Sequence, residues 1–232
     1  AEGEYAEGDV RVRQTDSAGN TSAATNLGEI TVDQTVNAPD ASLASDTGAD
    51  ESDGLTNNGQ VNVTLADDVD SWEYSTDGGD NWTTGTGESF TLAEGEYAEG
   101  DVRVRQTDSA DNTSDAIELG EIIVDQTVSA PAAVLDTDTG ADGSDGLTNN
   151  GQVNVTLADD VDSWEYSTDG GGSWTPGTGE TFTLAEGEYA DGDVRVRQTD
   201  SAGNTSAATE LGEIIVDQTV NAPAITIITD DS

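Results

Sequence analysis

The chain has 232 residues and a formal net charge of −43, because 49 acidic residues face only six basic ones, all arginine, and histidine and cysteine are absent. Such acidity argues against nucleic acid or an anionic membrane as a partner. Without cysteine there are no disulfides, and without histidine, cysteine or lysine the common nucleophile–base pairs and Schiff-base chemistry are excluded. The sequence has no run of 18 apolar residues, so no membrane-spanning helix is predicted.

Hydrophobic residues make up 33% of the chain, and a low hydrophobic content with a high net charge is typical of disorder. A regular repeat favours a folded chain instead. Charge repulsion in a compact state needs an offset that six arginines cannot supply, so bound cations are expected. Oxygen ligands from acidic residues favour Ca²⁺ or Mg²⁺ over transition metals.

The repeat has a period of 92 residues. The stretch AEGEYAEGDVRVRQTDSA begins at Ala1 and at Ala93, and a copy with one change begins at Ala185. This period predicts the C-terminal part of a repeat at residues 1–37, complete repeats at 38–129 and 130–221, and the start of a further repeat at 222–232. We expect the chain to be a fragment of a longer protein.

Short segments of alternating apolar residues predict strands throughout the first complete repeat. Glycine, asparagine and aspartate fill the gaps, and no segment has the period of a helix. About seven strands in a unit of this size indicate an immunoglobulin-like β-sandwich, so the predicted fold is all-β with such sandwiches in tandem. In chain order the strands are predicted near Ala41–Ala44, Gln60–Leu65, Ser71–Ser75, Trp82, Ser89–Leu92, Asp101–Thr107 and Leu119–Thr127.

The turn Ser75–Trp82 has the pattern S-x-D-x-G-x-x-W, which recurs at Ser167–Trp174. It is similar to the Asp-box, a β-hairpin turn of sialidases and other β-proteins, where its role is structural. Aspartate can accept hydrogen bonds from its own turn, and the tryptophan can pack over the hairpin. An exposed tryptophan that stacks on a sugar is the alternative.

Acidic residues are predicted to converge where one repeat follows another. Alternating strands place the loop Glu94–Asp101 and the linker aspartate at one end of a sandwich, and the loop at Ala66–Asp70 and the segment Asp108–Asp115 at the other. The linker VDQTVNAP then joins two acidic ends, and its proline fixes the start of the next domain. The candidate calcium ligands at these positions are the linker residues Asp33, Asp125 and Asp217, the loop residues Glu94, Glu96, Asp101, Glu186, Glu188 and Asp193, and the residues Asp67, Asp68, Asp70, Asp108, Asp159, Asp160, Asp162 and Asp200.

A second candidate cation site lies in one loop of each complete repeat, at Ser45–Asn58 and Thr137–Asn150. The spacing of its acids could surround one hard cation, although it lacks the D-x-D-x-D-G pattern of an EF-hand. The alternative for all of these acids is a set of solvated loop charges. The candidate ligands are Asp46, Asp50, Asp53 and Asn57 in the first loop and Asp138, Asp142, Asp145 and Asn149 in the second.

The segment TDSAGNTS could hold a further ion through Asp200 and Asn204, or it could be an ordinary turn in which aspartate caps its own backbone. It occurs at Thr15–Ser22 and Thr199–Ser206, and the copy between them carries Asp111 where the others have glycine.

Four motifs in order, DTG…SDGLTN, WEYSTDGG…W, GEYAEGDVRVRQTDSAGNTS and VDQT…AP, resemble the bacterial immunoglobulin-like extender repeats of giant RTX adhesins. Those proteins are exported by type I secretion to the surface of Gram-negative bacteria. The resemblance implies repeats that bind several Ca²⁺ ions in loops and between domains, where the ions stiffen the array.

The predicted function is therefore a calcium-binding structural spacer of a bacterial surface adhesin, which would hold a distal ligand-binding region away from the cell. Its partners would be neighbouring repeats of the same chain, it would be monomeric, and its repeats would contact neither nucleic acid nor membrane. The alternative is a repeated carbohydrate- or host-surface-binding module. An enzyme is not expected, because no pair of carboxylates stands out among so many.

Overall fold

The computed structural model describes residues 1–224, and every regular element among them is a β-strand. Within this range no helix is long and apolar enough to cross a membrane. The predicted start of a further repeat at 222–232 lies largely outside the described residues. The all-β prediction is confirmed.

The chain forms two compact units. The first contains Ala1–Ser45 and Asn58–Val124, and the second contains Asp46–Asn57 and the chain from Asp125 onward. The loop segment Asp46–Asn57 therefore belongs with the second unit, although its sequence lies in the first complete repeat. The boundaries of the sequence repeats remain a prediction.

The second unit has the strands of one complete repeat. β15, β17 and β20 form one sheet, β19, β18, β22 and β23 form the second, and β16, β24 and β21 form a third, smaller sheet. The strands are β15 (Ala132–Leu135), β16 (Leu147–Thr148), β17 (Gln152–Thr156), β18 (Val161–Ser167), β19 (Thr175–Pro176), β20 (Thr181–Thr183), β21 (Gly187–Tyr189), β22 (Arg195–Asp200), β23 (Thr209–Glu210) and β24 (Ile214–Val216).

The first unit has the same sheets. β5, β7 and β10 pair, β9, β8, β12 and β13 pair, and β11 pairs with β14, while two short antiparallel pairs, β1 with β4 and β2 with β3, belong to the partial repeat. The strands up to residue 124 are β1 (Gly3–Tyr5), β2 (Arg11–Val12), β3 (Thr25–Asn26), β4 (Ile30–Val32), β5 (Asp40–Leu43), β6 (Leu55–Thr56, in the segment that belongs with the second unit), β7 (Gln60–Thr64), β8 (Val69–Ser75), β9 (Thr83–Thr84), β10 (Ser89–Thr91), β11 (Gly95–Tyr97), β12 (Arg103–Asp108), β13 (Ile117–Glu118) and β14 (Ile122–Val124).

The core follows from strict alternation along the longer strands. In β7, Val61 and Val63 are buried and their polar neighbours are exposed, and in β12 every second side chain is buried. Facing residues of the sheets enclose one tryptophan per complete repeat, and Trp72 donates from Nε1 to the Gly87 carbonyl at 3.0 Å. Each complete repeat thus has its own core between two sheets, as in an immunoglobulin-like sandwich.

The seven predicted strands of the first complete repeat are each found within a few residues of the predicted bounds. Three further strands of two or three residues were missed, which are β6, β11 and β13. The prediction of Glu94–Asp101 as a loop is wrong in part, because Gly95–Tyr97 is a strand that pairs antiparallel with β14. Glycine and glutamate have low strand propensity, so only the long-range partner identifies this strand.

Candidate metal centres

Two groups of three aspartates bring their carboxylates together, one in each unit. Oxygens of Asp33, Asp68 and Asp108 lie within 4.8 Å of one another in the first unit, and so do oxygens of Asp125, Asp160 and Asp200 in the second. Each member of the first triad lies 92 residues before its counterpart in the second. The triads therefore recur with the repeat.

Strand ends place the second triad. Asp125 follows β14, Asp160 lies in the connection from β17 to β18, and Asp200 is the last residue of β22. A register shift between Val161 and Ser163 interrupts the β18–β22 ladder next to this point. A bulge of this kind ends regular pairing and turns a side chain away from the strand direction.

The turn Asp200–Asn204 holds the second triad in place through hydrogen bonds. The Asn204 Nδ2 donates to the Asp200 carboxylate and to the Asp125 carbonyl, both at 2.8 Å. The Asp160 carbonyl accepts from the Ser201 backbone N–H at 3.0 Å and from the Ser201 hydroxyl at 3.1 Å. The turn after β22 thus contacts the backbone of both other aspartates, while carboxylate oxygens of all three face one point.

The first triad shares the bonds from Asn112 to Asp108 and from Ser109 to the Asp68 carbonyl, and its Asp108 is buried. Asp108 is 1% exposed, and burial by itself would raise its pKa. Hydrogen bonds from the Asn112 side chain and from the Asn112 and Ala110 backbone N–H groups outweigh burial, so the pKa of Asp108 lies below its ordinary value. The carboxylate is therefore ionised near neutral pH and available as a ligand.

The donor set fits a hard divalent cation. Two oxygens bound to one Ca²⁺ at 2.3–2.6 Å can be at most about 5 Å apart, which the spacing of each triad satisfies. All the donors are carboxylate oxygens, the type that Ca²⁺ and Mg²⁺ prefer. Each ion pair that the described residues form involves an arginine of β12 or β22 with a glutamate, so no triad aspartate has a cationic partner there.

An open hollow beside the first triad adds two acids that the sequence interpretation missed. Glu2 and Glu4 line it together with Asp33 and Asp68, and the Glu2 carboxylate accepts a hydrogen bond from the Thr35 hydroxyl at 3.4 Å. Glu2 and Glu4 are the counterparts of Glu94 and Glu96 in the partial repeat. The hollow could supply further oxygen ligands or hold bound water.

The loop acids do not gather in the same way. Asp50 accepts from the backbone and hydroxyl of Ser52, and Asp53 accepts from the Leu55 N–H, so each caps its own turn. Asp142 and Asp145 make the corresponding bonds in the second loop. Asn57 and Asn149 donate backbone N–H groups to Thr47 and Thr139, respectively.

One atom in each of these loops is nevertheless unusual. The Oδ2 of Asp46 accepts from the Gly54 N–H at 2.9 Å, whereas its Oδ1 is buried without a hydrogen-bond partner, and Asp138 repeats both features. Leaving a buried carboxylate oxygen unpaired is costly. A cation, a water molecule or a proton would remove this cost.

The other predicted ligands do not belong to any group of three acids in the part of the chain that the structure describes. Asp101 and Asp193 each cap a turn by accepting a backbone N–H three residues before them. Glu186 accepts from the Thr219 hydroxyl at 3.1 Å, two residues after Asp217. The remainder are exposed or strand-borne side chains, namely Asp67, Asp70, Asp159, Asp162, Glu94, Glu96 and Glu188.

The turn at Ser75–Trp82 has the expected hydrogen bonds. Asp77 accepts from the Asn81 side chain at 2.6 Å, from the Asn81 N–H at 2.9 Å and from the Ser75 hydroxyl at 2.7 Å. The Arg105 guanidinium lies 3.9 Å from the centre of the Trp82 ring and also pairs with Glu73. One ring face is thus already covered, and a sugar would have to displace the arginine or stack on the other face.

Buried glutamines were missed because their sequence context gives no signal. Gln198 is 0% exposed, donates to the Ser129 carbonyl at 2.7 Å and accepts from the Ala158 N–H. Gln106 makes the corresponding bonds with Asn37 and Ala66. Each glutamine thus fixes the linker backbone four residues after the linker aspartate.

The class of protein is defined by the fold: tandem immunoglobulin-like β-sandwiches, with a recurring aspartate triad. No family model matches the sequence, and no curated protein matches it. Solved structures with some similarity include fibronectin(III)-like modules of CbhA from Clostridium thermocellum, at 14% identity and a TM-score of 0.41 over 80% of this chain and 99% of that one. Another is SGBP-B from the mixed-linkage glucan utilization locus of Bacteroides ovatus, in complex with a mixed-linkage heptasaccharide, at 12% identity and a TM-score of 0.19 over 93% of this chain and 54% of that one.

Proposed function

We propose that this chain is a calcium-binding structural spacer, in which Ca²⁺ at each triad fixes the linker of one repeat to a loop and a strand end of the next. The observation that carries the proposal is the recurrence of the triad, Asp33–Asp68–Asp108 and Asp125–Asp160–Asp200, at the same three positions of the repeat. One aspartate of each triad is buried, and no triad aspartate has a cationic partner among the described residues, so a bound cation would offset their charge.

The mechanism is electrostatic. Three carboxylates within 4.8 Å repel one another, and this repulsion falls when a divalent cation binds among them. Since one aspartate of each triad follows the last strand of a repeat and the other two belong to the following repeat, the bound ion would resist bending at the linker. Loss of the ion would restore the repulsion and loosen the linker.

The resemblance to extender repeats of RTX adhesins supports a finer proposal. The parent protein would be an adhesin on the surface of a Gram-negative bacterium, exported by type I secretion. These repeats would act as a monomeric, non-enzymatic spacer between the cell and a distal binding region, with neighbouring repeats as partners. A spacer needs length more than diversity, which agrees with copies that are nearly identical in sequence.

A second ion in each complete repeat is proposed at the loops Ser45–Asn58 and Thr137–Asn150. Its support is the buried, unpaired Oδ1 of Asp46 and of Asp138. Asp46→Asn and Asp138→Asn should then lower the number of bound calcium ions from its wild-type value, as measured by isothermal titration calorimetry.

The triad proposal is tested by thermal unfolding of the whole chain with Ca²⁺ and with EGTA, in the wild type and in Asp125→Asn. Asp217→Asn is the matched control, because Asp217 has the same sequence context and the same bond to the N–H two residues later, and it joins no acid triad within residues 1–224. We expect Ca²⁺ to raise the melting temperature of the wild type and of Asp217→Asn, and to do so less in Asp125→Asn. Mg²⁺ in place of Ca²⁺ tests which of the two ions the triad prefers.

Equal responses of the three proteins to Ca²⁺ would reject the triad as the binding site. No response in any of them would reject calcium binding as a source of stability. Binding of glycans to the intact chain that survives EGTA would favour the alternative function of a carbohydrate-binding module.

A further inference from the structure

Besides the aspartate triad, the second unit contains a contact between two backbone segments that involves no acidic side chain. The segment Asp46–Asn57 lies against the turn Asp200–Asn204, where the Thr47 hydroxyl donates a 2.7 Å hydrogen bond to the Ala202 carbonyl. Ala202 is 0% exposed, whereas its counterpart Ala110 is exposed. Ala202, in the middle of the turn, is therefore buried where the segment Asp46–Asn57 covers it.

Two glycines allow the backbones to touch. Gly48 has a φ of +102°, and a Cβ there would lie 2.1 Å from the Ser201 carbonyl oxygen. Gly203 has a φ of +88°, and a Cβ there would lie 3.3 Å from the Gly48 nitrogen. Because the obstacles are backbone atoms, neither contact can be relieved by rotation of a side chain.

The other copies of the loop and the turn serve as internal comparisons. Gly140, the counterpart of Gly48, has a φ of +109°, and a Cβ there would have nothing within 4 Å. Gly19, the counterpart of Gly203 in the partial repeat, also has open space around it at a φ of +90°. In the first complete repeat this turn position is Asp111, which adopts a φ of 68° and shows that the turn accommodates aspartate.

We propose that the Thr-Gly loop of one repeat and the Ser-Ala-Gly turn of the next are a recognition pair that does not depend on metal. The residue at the position of Gly203 decides whether the turn accepts the loop. Glycine accepts it, whereas aspartate adds a Cβ about 3.3 Å from the Gly48 nitrogen and a negative charge beside an acidic segment. The exposed loop at Thr139–Gly140 would therefore take as its partner a repeat whose turn carries glycine.

This inference goes beyond the proposed calcium function, so its test is carried out in EGTA. Hydrogen–deuterium exchange of the whole chain compares the loop 46–57 with the loop 138–149 in the same molecule. The two loops differ in sequence and therefore give separable peptides. We expect the backbone N–H groups of the docked loop to exchange more slowly than those of its counterpart, because docking limits local opening.

Three pairs of variants separate docking from local effects. Gly203→Asp, Gly48→Ala and Thr47→Val change docked positions, and Gly19→Asp, Gly140→Ala and Thr139→Val make the same changes where no partner is present. Thr47→Val and Thr139→Val both remove the bonds that each threonine makes within its own loop, but only Thr47→Val also removes the bond to the Ala202 carbonyl. Thr47→Val should therefore speed exchange of loop 46–57 about fivefold more than Thr139→Val speeds exchange of loop 138–149, the factor that corresponds to one net hydrogen bond. In the Gly203→Asp variant, loop 46–57 should exchange as fast as loop 138–149.

Gly140→Ala and Thr139→Val, read on loop 138–149, give the local effect of each change, and none of the three controls should alter the exchange of loop 46–57. Loops that exchange equally in the wild type would overturn the proposal, and so would a Gly203→Asp variant that keeps the wild-type rate. Since Asp111 already occupies the equivalent turn position, loss of protection in Gly203→Asp reports loss of docking and not failure of the turn to fold. A protected loop in EGTA that loses protection in the docked variants supports the recognition pair whether or not calcium binds elsewhere.

Discussion

At the scale of single residues, the turn aspartates Asp77 and Asp169 connect sequence to stability most directly. Hydrogen bonds from the Asn81 side chain, the Asn81 backbone N–H and the Ser75 hydroxyl lower the pKa of Asp77 from 3.8 to about 2. Ser173 and Ser167 lower the pKa of Asp169 to about 2 in the same way. These bonds favour the charged form of each aspartate over the protonated form.

This lowered pKa gives the turn a defined pH dependence. A group whose pKa is lower in the folded state contributes stability that is present above its unfolded pKa, near 4, and is lost as the pH falls toward 2. Asp77→Asn together with Asp169→Asn should therefore lose stability relative to the wild type at pH 5, and lose progressively less between pH 4 and pH 2. Urea midpoints across this range measure the difference, and Asp80→Asn, an exposed acid in the same turn, is the control. Parallel profiles for the wild type and the double variant would contradict the prediction.

The core also has a position that only glycine can fill. A Cβ on Gly85 would lie 2.2 Å from ring atoms of Trp72, which is itself 4% exposed. Gly85→Ala should therefore destabilise the protein by about 1–3 kcal/mol, the usual range for an overpacked core. Gly120→Ala is the control, since its Cβ would have nothing within 4 Å. Chemical denaturation of both variants measures the effect, and equal losses of stability would show that contact with the tryptophan is not the cause.

At the scale of strands, alternation predicted every strand of the first complete repeat that has two or more buried apolar residues. It succeeded at β7 and β12 because one face of each strand is buried, and a period of two then appears in the sequence. It failed at β11, whose residues are exposed or half-buried and are defined by pairing with β14. Alternation of apolar and polar residues appears only where one face of a strand is buried, so it cannot identify an exposed strand that is defined by pairing with a distant partner.

The buried glutamines show how a strand fixes a linker. Gln198 satisfies the Ser129 carbonyl and the Ala158 N–H from inside the unit. Gln198→Leu should cost about 1–3 kcal/mol in unfolding free energy, because the buried side chain loses its hydrogen bonds to the Ser129 carbonyl and the Ala158 N–H. Gln14→Leu changes the exposed counterpart in the partial repeat and should stay within about 0.5 kcal/mol of the wild type. A Gln198→Leu variant as stable as Gln14→Leu would show that water replaces the amide.

The candidate site could be predicted only in outline. The repeat and the strand directions indicated that linker aspartates meet loop aspartates, and all six residues of the two triads were among the candidates. The sequence could not rank them against their neighbours. Asp160 and Asp159 are adjacent acids, and the choice between them depends on the bulge at the start of β18. The bonds from Asn204 that hold the triad likewise follow from the fold of its turn.

At the scale of the whole molecule, the charge of −43 allows two kinds of response to salt. Any salt screens repulsion between exposed carboxylates, and this effect depends on ionic strength alone. Binding at the triads is different, because it saturates and depends on the ion. The two effects separate when CaCl₂ and NaCl are compared at equal ionic strength.

We expect Ca²⁺ to raise the melting temperature well above the value in NaCl of the same ionic strength. A ligand at 100 times its dissociation constant stabilises the folded state by about 2.7 kcal/mol per site, which corresponds to roughly 10 °C or more for units of this size. Small-angle scattering under the same two conditions should give a smaller spread of dimensions in Ca²⁺, since an ion at each triad restrains the linker. The control is Asp125→Asn with Asp33→Asn, which keeps most of the charge but alters both triads. It should lose the part of the Ca²⁺ response that the triads supply and keep only the part that comes from the proposed loop ions at Asp46 and Asp138. Identical melting temperatures and scattering in CaCl₂ and NaCl for the wild type would mean that screening alone offsets the charge, and the spacer would then owe its rigidity to the linker hydrogen bonds of Gln198 and Asn204.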